Sequence, residues 1–372
     1  MKYYIIAGEA SGDLHGSNLV RALHRQDAQA IIRCWGGDKM QAAGATLVKH
    51  YRELAFMGFA EVVKNLPTIL RNLRFCKEDI LHYRPDVVVL IDYPGFNLRI
   101  ARWAHEQGLK VVYYISPQVW AWKENRVKQM KQCIDRLLVI LPFEKKYYKD
   151  RWNWEVDYVG HPLPEAIAAA RQEETPLLFN DADKRPLIAL LPGSRKQEIL
   201  KKLPVMLEVS KSFPAYRFVV AKAPGLPEEF YDALLAGYPG VSGVSGKTYA
   251  LLQQATAALV TSGTATLETA LLGVPQVVCY KGNPISYQIA KRLVRIKYIS
   301  LVNLILDREA VEELIQNKLT TAELITALRK ILPGNENRMQ VLAHYQELDQ
   351  LLHTGTSASE KAAQLIRITA AD

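Results

Sequence analysis

Val87-Val-Val-Leu-Ile91 followed by Asp92-Tyr-Pro-Gly95-Phe-Asn97 decides the fold. Five apolar residues in a row, four of them β-branched, read as a strand buried on both faces. A strand of that kind belongs to a parallel sheet covered by helices on each side. The break at Pro94-Gly95 then turns the chain into a helix.

Working outward, the same rhythm recurs. Tyr3–Ile6, Ile31–Trp35, Val111–Ile115, Arg136–Leu141 and Val156–Val159 read as further strands, most of them separated by stretches of helical periodicity. A second βα series follows at Leu187–Leu191, Arg217–Ala221, Ala257–Val260, Gln276–Tyr280 and Tyr298–Val302. The polar stretch 171–186 (RQEETPLLFNDADKRP) interrupts the two and reads as a linker. The expected fold class is α/β, two Rossmann-like doubly wound domains with a cleft between them. The expected domains are 1–170, 171–345, and a helical segment 346–372 that crosses back to the first domain through a helix near Lys361–Ile368.

Composition agrees. The chain has 372 residues, 49% apolar and 23% charged, ample for two cores. Cys34, Cys76, Cys133 and Cys279 are scattered, which argues against disulfides and structural zinc and suits a reducing cytoplasm. The opening run meets Glu9 and Asp13 at once, so it reads as a first strand and not a signal sequence. No apolar run approaches the roughly 18 residues of a membrane span. The net charge of +9 favours phosphates, nucleic acid or an anionic membrane, or simply confers solubility. Basic residues are spread along the chain without a recognition motif, which speaks against nucleic acid.

In such sheets, ligands bind beyond the carboxyl ends of the strands. Gly8-Glu9-Ala10-Ser11-Gly12-Asp13 follows the first strand; Ser11 or Asp13 could cap a helix starting near Leu14. It is not GxGxxG, so a dinucleotide is poorly supported. Asp92 closes its strand, where a carboxylate can accept a proton from a hydroxyl or act as a turn residue. In Ser116-Pro-Gln-Val-Trp120-Ala-Trp122, the indoles could stack on sugars, meet lipid or fill core. Gly193, Ser194 and Arg195 offer amides and a forked cation to a diphosphate. Thr261-Ser262-Gly263-Thr264 leads into a helix whose N-terminus favours anions, and Glu268, one turn on, could accept two ribose hydroxyls. Asn303 reads as closing a strand. His161 reads as a hinge residue or a second base. No HExxH, DxD or carboxylate pair suggests a metal.

Together these segments resemble the lipid-A-disaccharide synthase family of glycosyltransferases. The matching stretches are GEASGD (8–13), WGGDKMQAAG (35–44), ELAFMGFAEV (53–62), IDYPGFN (91–97), SPQVWAWKENRV (116–127), LPFEKKYY (141–148), VGHPL (159–163), LPGSR (191–195), SGTATLE (262–268) and AKRLV...YISLVNL (290–304). The resemblance implies a metal-independent, inverting transfer of 2,3-diacylglucosamine from its UDP donor to 2,3-diacylglucosamine 1-phosphate. The products are a β-1,6-linked disaccharide phosphate and UDP. It implies a two-Rossmann fold of the GT-B type, with Asp92 as base, Arg195 on the diphosphate and Asn303 in the active site. Gly193, Ser194, Ser262, Gly263, Thr264 and Glu268 would hold UDP, and Glu9, Ser11, Gly12, Trp120 and Trp122 are the candidate acceptor contacts. One departure is Gly95, where the family commonly has Asp; the proton-transfer role then falls on Asp92 alone.

Acylated, anionic substrates imply peripheral contact with the cytoplasmic face of an anionic inner membrane. The apolar positions Phe56, Met57, Phe59, Val62, Val63, Leu66, Ile69 and Leu70, followed by Arg71, Arg74 and Lys77, read as that contact or as a core helix. Homo-oligomerisation is left open. The rival readings are a UDP-N-acetylglucosamine transferase or an epimerase on the same scaffold, and a non-catalytic lipid- or nucleotide-binding protein. Acceptor dependence separates transferase from epimerase.

Overall fold

The computed structural model describes residues 1–54, 66–172, 183–223, 225–283, 287, 297–353 and 355–372. The chain divides into two compact units, Met1–Pro162 with Leu352–Asp372, and Leu163–Leu351. The expected boundary at 170 thus moves to 162, because the helix Leu163–Gln172 packs on the helix Thr264–Leu271 of the second unit. The C-terminal boundary moves from 345 to 351 because the helix Glu336–Leu352 runs on to that point. Most of the expected linker, most of the ELAFMGFAEV stretch and the AKRLV segment lie outside the described residues.

Among the described residues, the first unit holds β1 (Lys2–Ala7), β2 (Ile31–Gly36), β3 (Thr46–His50), β4 (Val87–Ile91), β5 (Lys110–Tyr114), β6 (Arg136–Val139) and β7 (Asp157–Tyr158). They form one sheet in the order β3-β2-β1-β4-β5-β6-β7, parallel at every pairing. The alternation of side chains sorts its core into two faces. Tyr4, Ile6, Val88 and Leu90 pack on one side with Trp35 and Phe96. Tyr3, Ile5, Val87 and Val89 pack on the other, where Ala362, Ala363 and Ile366 join them. Those three residues belong to the helix Ala358–Ala371, which lies against the helix Ala10–Gln26. The expected returning helix is therefore present and longer than Lys361–Ile368. Arg25 Nε and Gln26 Nε2 clamp it by donating to Glu360, each over 2.6 Å.

The second unit holds β8 (Leu187–Leu191), β9 (Arg217–Lys222), β10 (Val241–Ser245), β11 (Ala255–Thr261), β12 (Gln276–Tyr280) and β13 (Glu313–Ile315). Their order is β10-β9-β8-β11-β12-β13, again parallel throughout. Both sheets are doubly wound. In each, the first strand sits in the middle and the chain changes direction beside it, at β1/β4 and at β8/β11. Those are the switch points where open α/β sheets bind ligands. The expected strand Tyr298–Val302 is instead a turn leading into the helix Leu301–Leu306. Ser300 caps that helix, its hydroxyl accepting from the Asn303 amide at 3.3 Å. Among the described residues, no helix is long and apolar enough to cross a membrane.

Candidate active site

At the first switch point, β4 ends in Asp92 (φ 44°) and Tyr93 (φ 50°), both left-handed, and β5 ends in Ile115 (φ 65°). Such conformations cost on the order of 1–3 kcal/mol each and persist only where the surroundings enforce them. The enforcement is visible. The Asp92 amide donates to the Tyr114 carbonyl at 3.1 Å, and the Asp92 carbonyl accepts from the Tyr113 hydroxyl at 2.6 Å. Buried Asn97 donates to the carbonyls of Asp92 at 2.8 Å and Ile91 at 3.1 Å. Gly8 leaves room for the Tyr93 ring, which would lie 2.3 Å from a Cβ placed there.

Asp92 is half-buried, and its carboxyl is pushed up to about 6, by burial first and by the Glu9 charge second. A base with that affinity is charged at neutral pH yet protonatable, as proton transfer from a hydroxyl requires. Glu9 and Ser11 are exposed beside it, at the start of the helix Ala10–Gln26, and Gly12 is buried against Ala7. The helix starts four residues before Leu14, and neither Ser11 nor Asp13 caps it. Asp13 reaches the next crossover instead, where its carboxylate accepts from the amides of Gly37 at 2.7 Å, Met40 at 3.1 Å and Lys39 at 3.2 Å.

The two indoles part company. Trp120 Nε1 donates to the Glu144 carboxylate at 3.2 Å, and its ring meets Phe143 edge-on at 4.9 Å. Trp122 is 54% exposed, with the Lys123 ammonium 4.2 Å from its ring centre. Glu144 is fully enclosed; burial pushes its carboxyl up to about 7 against the opposing hydrogen bonds from Leu141, Trp120 and Ile140. His161 is buried, and burial with nearby His15 lowers it to about 3, so it stays neutral and is a poor second base.

At the second switch point a cavity of about 340 Å³ opens beyond β8 and β11. Gly193, Ser194, Ser262, Gly263, Thr264 and Glu268 all line it. Gly193 (φ 115°) and Gly263 (φ 151°, ψ −164°) hold conformations that suit glycine alone. Gly263 also precedes the helix Thr264–Leu271, which has no side-chain cap and no acidic residue in its first turn. Its free amides and dipole are left for an anion. Glu268 accepts from the Tyr249 hydroxyl at 2.9 Å.

Two expected residues stand apart. Arg195 is exposed at the start of the helix Lys196–Ser210 and is not among the cavity's lining. Asn303 is completely buried within a helix, not at a strand end. Its Nδ2 donates to the Val311 carbonyl at 2.8 Å and to Glu313 at 2.9 Å, while Oδ1 accepts from the amides of Ala310 at 2.8 Å and Val311 at 2.9 Å. That amide has no bonding capacity left for a substrate.

Sequence reasoning missed Glu198, Lys222 and Thr248, which also line the cavity, and Tyr249 beside it. Lys202, one helical turn from Glu198 and 4.0 Å from it, is nearly enclosed, and burial lowers its pKa. Glu198 and Lys202 follow LPGSR at helical spacing, a signal that was readable. Lys222 and Tyr249 sit in ordinary-looking segments. Among the described residues, no three His, Cys, Asp or Glu side chains converge as a metal site would need.

Two parallel doubly wound sheets, one ending in a strained carboxylate and one in a cavity at a helix N-terminus, make up a fold of the GT-B type. Solved structures share the fold. A UDP-GlcNAc 2-epimerase from Neisseria meningitidis bound to UDP-GlcNAc aligns with a TM-score of 0.67 at 12% identity, covering 99% of this chain and 100% of that one. The kitacinnamycin glycotransferase gives 0.68 at 16%, covering 99% and 98%. The sequence narrows the class. The family model described as Lipid-A-disaccharide synthetase matches residues 3–368. The lipid-A-disaccharide synthases of Syntrophus aciditrophicus and Alcanivorax borkumensis are each 38% identical to it, over 96% and 97% of this chain and 95% and 96% of theirs. That of Koribacter versatilis is 35% identical over 98% of both chains. The chain belongs to the lipid-A-disaccharide synthase family and is a glycosyltransferase.

Proposed function

We propose that the chain transfers 2,3-diacylglucosamine from its UDP donor to 2,3-diacylglucosamine 1-phosphate, with inversion, forming the β-1,6 disaccharide 1-phosphate and UDP. The observation that carries this reading is the gathering of the family's nucleotide segments around one cavity at the second switch point. The strained Asp92 at the first switch point supports it.

In this reading Asp92 removes the proton of the acceptor 6-hydroxyl, and the resulting oxygen attacks the donor C1 from the face opposite UDP. The new C1–O bond forms as the bond to the UDP oxygen breaks, and the proton stays on Asp92. The amides at Gly193, Ser194 and Thr264 take up the charge on the departing diphosphate, a preorganised electrostatic contribution. Arg195 is exposed and reaches the diphosphate by turning in on the bound donor. Asn303 contributes as framework, fixing the turn 299–300 against Glu313 and, through the Ile299 carbonyl, the Ser262 hydroxyl at 2.9 Å. These groups supply the stabilisation without a metal ion. Glu9, Ser11 and Trp122 are exposed around the first switch point or the following loop and are assigned to the acceptor, with buried Gly12 shaping the turn and Trp120 as support.

The test is UDP release from UDP-2,3-diacylglucosamine in detergent with EDTA, with and without the acceptor. Acceptor-dependent release that survives EDTA is expected. Release without acceptor points to hydrolysis or epimerase-like chemistry, and loss in EDTA overturns the metal-free mechanism.

A peripheral position at the cytoplasmic face of the inner membrane belongs to this reading, supported by the acylated, anionic substrates and the net charge of +9. On the helix Leu66–Tyr83, Leu70 and Phe75 are exposed beside Arg71 and Arg74, while Leu73, Cys76 and Ile80 form its buried face. Co-flotation with vesicles containing anionic lipid, lost in high salt, is the expected result.

A further inference from the structure

Tyr249 lies outside every motif of the nucleotide site, yet it makes a direct bond to that site. It belongs to the short helix Thr248–Gln253 that follows β10, and its neighbour Thr248 lines the cavity. Its hydroxyl donates to Oε1 of Glu268 at 2.9 Å. Two separate crossovers of the sheet thus meet at one carboxylate, which itself lines the cavity.

A carboxylate that must accept two neighbouring hydroxyls needs its charge and a fixed plane. Burial works against the charge at Glu268, raising its pKa, and the Tyr249 bond opposes that shift. A phenol on Oε1 uses one of about four lone-pair sites and leaves the rest, while fixing the torsion of a side chain that would otherwise rotate.

We infer that Tyr249 is a positioning residue, whose hydroxyl orients Glu268 to receive the vicinal ribose hydroxyls of a uridine diphosphate. This rests on the reading of Glu268 as the ribose acceptor, so the experiment separates the two. The dissociation constants of UDP and 2′-deoxy-UDP are measured calorimetrically for the full chain, for Tyr249→Phe and for Glu268→Gln. Phenylalanine keeps the ring packing and removes only the hydroxyl. Wild type prefers UDP. Tyr249→Phe weakens UDP roughly tenfold, as loss of a hydrogen bond to a charged group does. It weakens 2′-deoxy-UDP by less, because only one of the two hydroxyls remains there to be received, so the preference narrows. With the donor, KM rises and kcat holds. A Tyr249→Phe protein that keeps the wild-type preference, or loses both ligands equally, overturns the positioning role. If Glu268→Gln also keeps the preference, the ribose assignment itself falls.

Discussion

The side-chain amide of Asn97 donates to the carbonyl of Asp92 at 2.8 Å and thereby holds the candidate base in its left-handed conformation. Because Asn97 also donates to the Ile91 carbonyl at 3.1 Å, it ties the end of β4 to the first turn of the next helix. Asn97→Ala removes both bonds in a buried place and leaves the Asp92 carbonyl with the Tyr113 hydroxyl alone. It is expected to cost about 2–3 kcal/mol in urea unfolding. Turnover should fall roughly 100-fold, because a base displaced by an ångström loses its alignment. Unchanged turnover in a destabilised protein would separate Asn97 from the chemistry.

Asp92→Asn tests the base directly. The wild-type kcat/KM should rise with pH through about 6 and then level, following the carboxyl as it loses its proton. The Asn variant should lose turnover, keep UDP affinity and show no such limb. The stability sign is opposite. Folding raises this carboxyl above its ordinary value, so its favourable contribution belongs to low pH and is lost as pH rises through about 6. Removing the charge should therefore stabilise the protein at pH 8, by about 1–2 kcal/mol after allowance for partial exposure. Thermal unfolding at pH 5 and pH 8 checks the crossover.

How much of this was legible depends on where a strand lies in its sheet. Central strands such as Val87–Ile91 and Leu187–Leu191 are buried on both faces and announce themselves as apolar runs. β3, β10 and β13 were missed, and all three are edges. Val241-Ser-Gly-Val-Ser245 carries serines and a glycine because one flank meets solvent, so no apolar run marks it. The cavity at the second switch point left a local signature because backbone geometry requires glycine at Gly193 and Gly263. Asn303 was misread because its partners, Val311 and Glu313, become neighbours only through the fold. Asp13 was misread likewise: its bonds go to residues 37–40, beyond the reach of local capping rules.

Gly193→Ala follows from the same geometry. The backbone is at φ 115°, and a new Cβ would lie 2.7 Å from Oε2 of Glu198. Strain should cost about 1–3 kcal/mol. Displacement of Glu198 and of the amides beside it should raise the donor KM at least tenfold, with a smaller effect on kcat. Gly240→Ala is the control, since nothing lies within 4 Å of its Cβ position. Its unfolding and kinetics should match wild type.

Gly95→Asp decides whether Asp92 acts alone. The position is exposed, nothing lies within 4 Å of the Cβ, and the residue is second in the helix Pro94–Glu106. An aspartate fits there without strain. It should stabilise by about 0.5–1 kcal/mol, through better helix propensity and a negative charge at a helix N-terminus. The added charge near Asp92 should also move the acid limb of the rate profile upward, by roughly half a pH unit or less at moderate salt. If Asp92 carries the proton transfer by itself, turnover at pH 8 stays within about twofold of wild type, because the base is then already ionised. A tenfold gain at pH 8 would show that a second carboxylate at this position shares the chemistry.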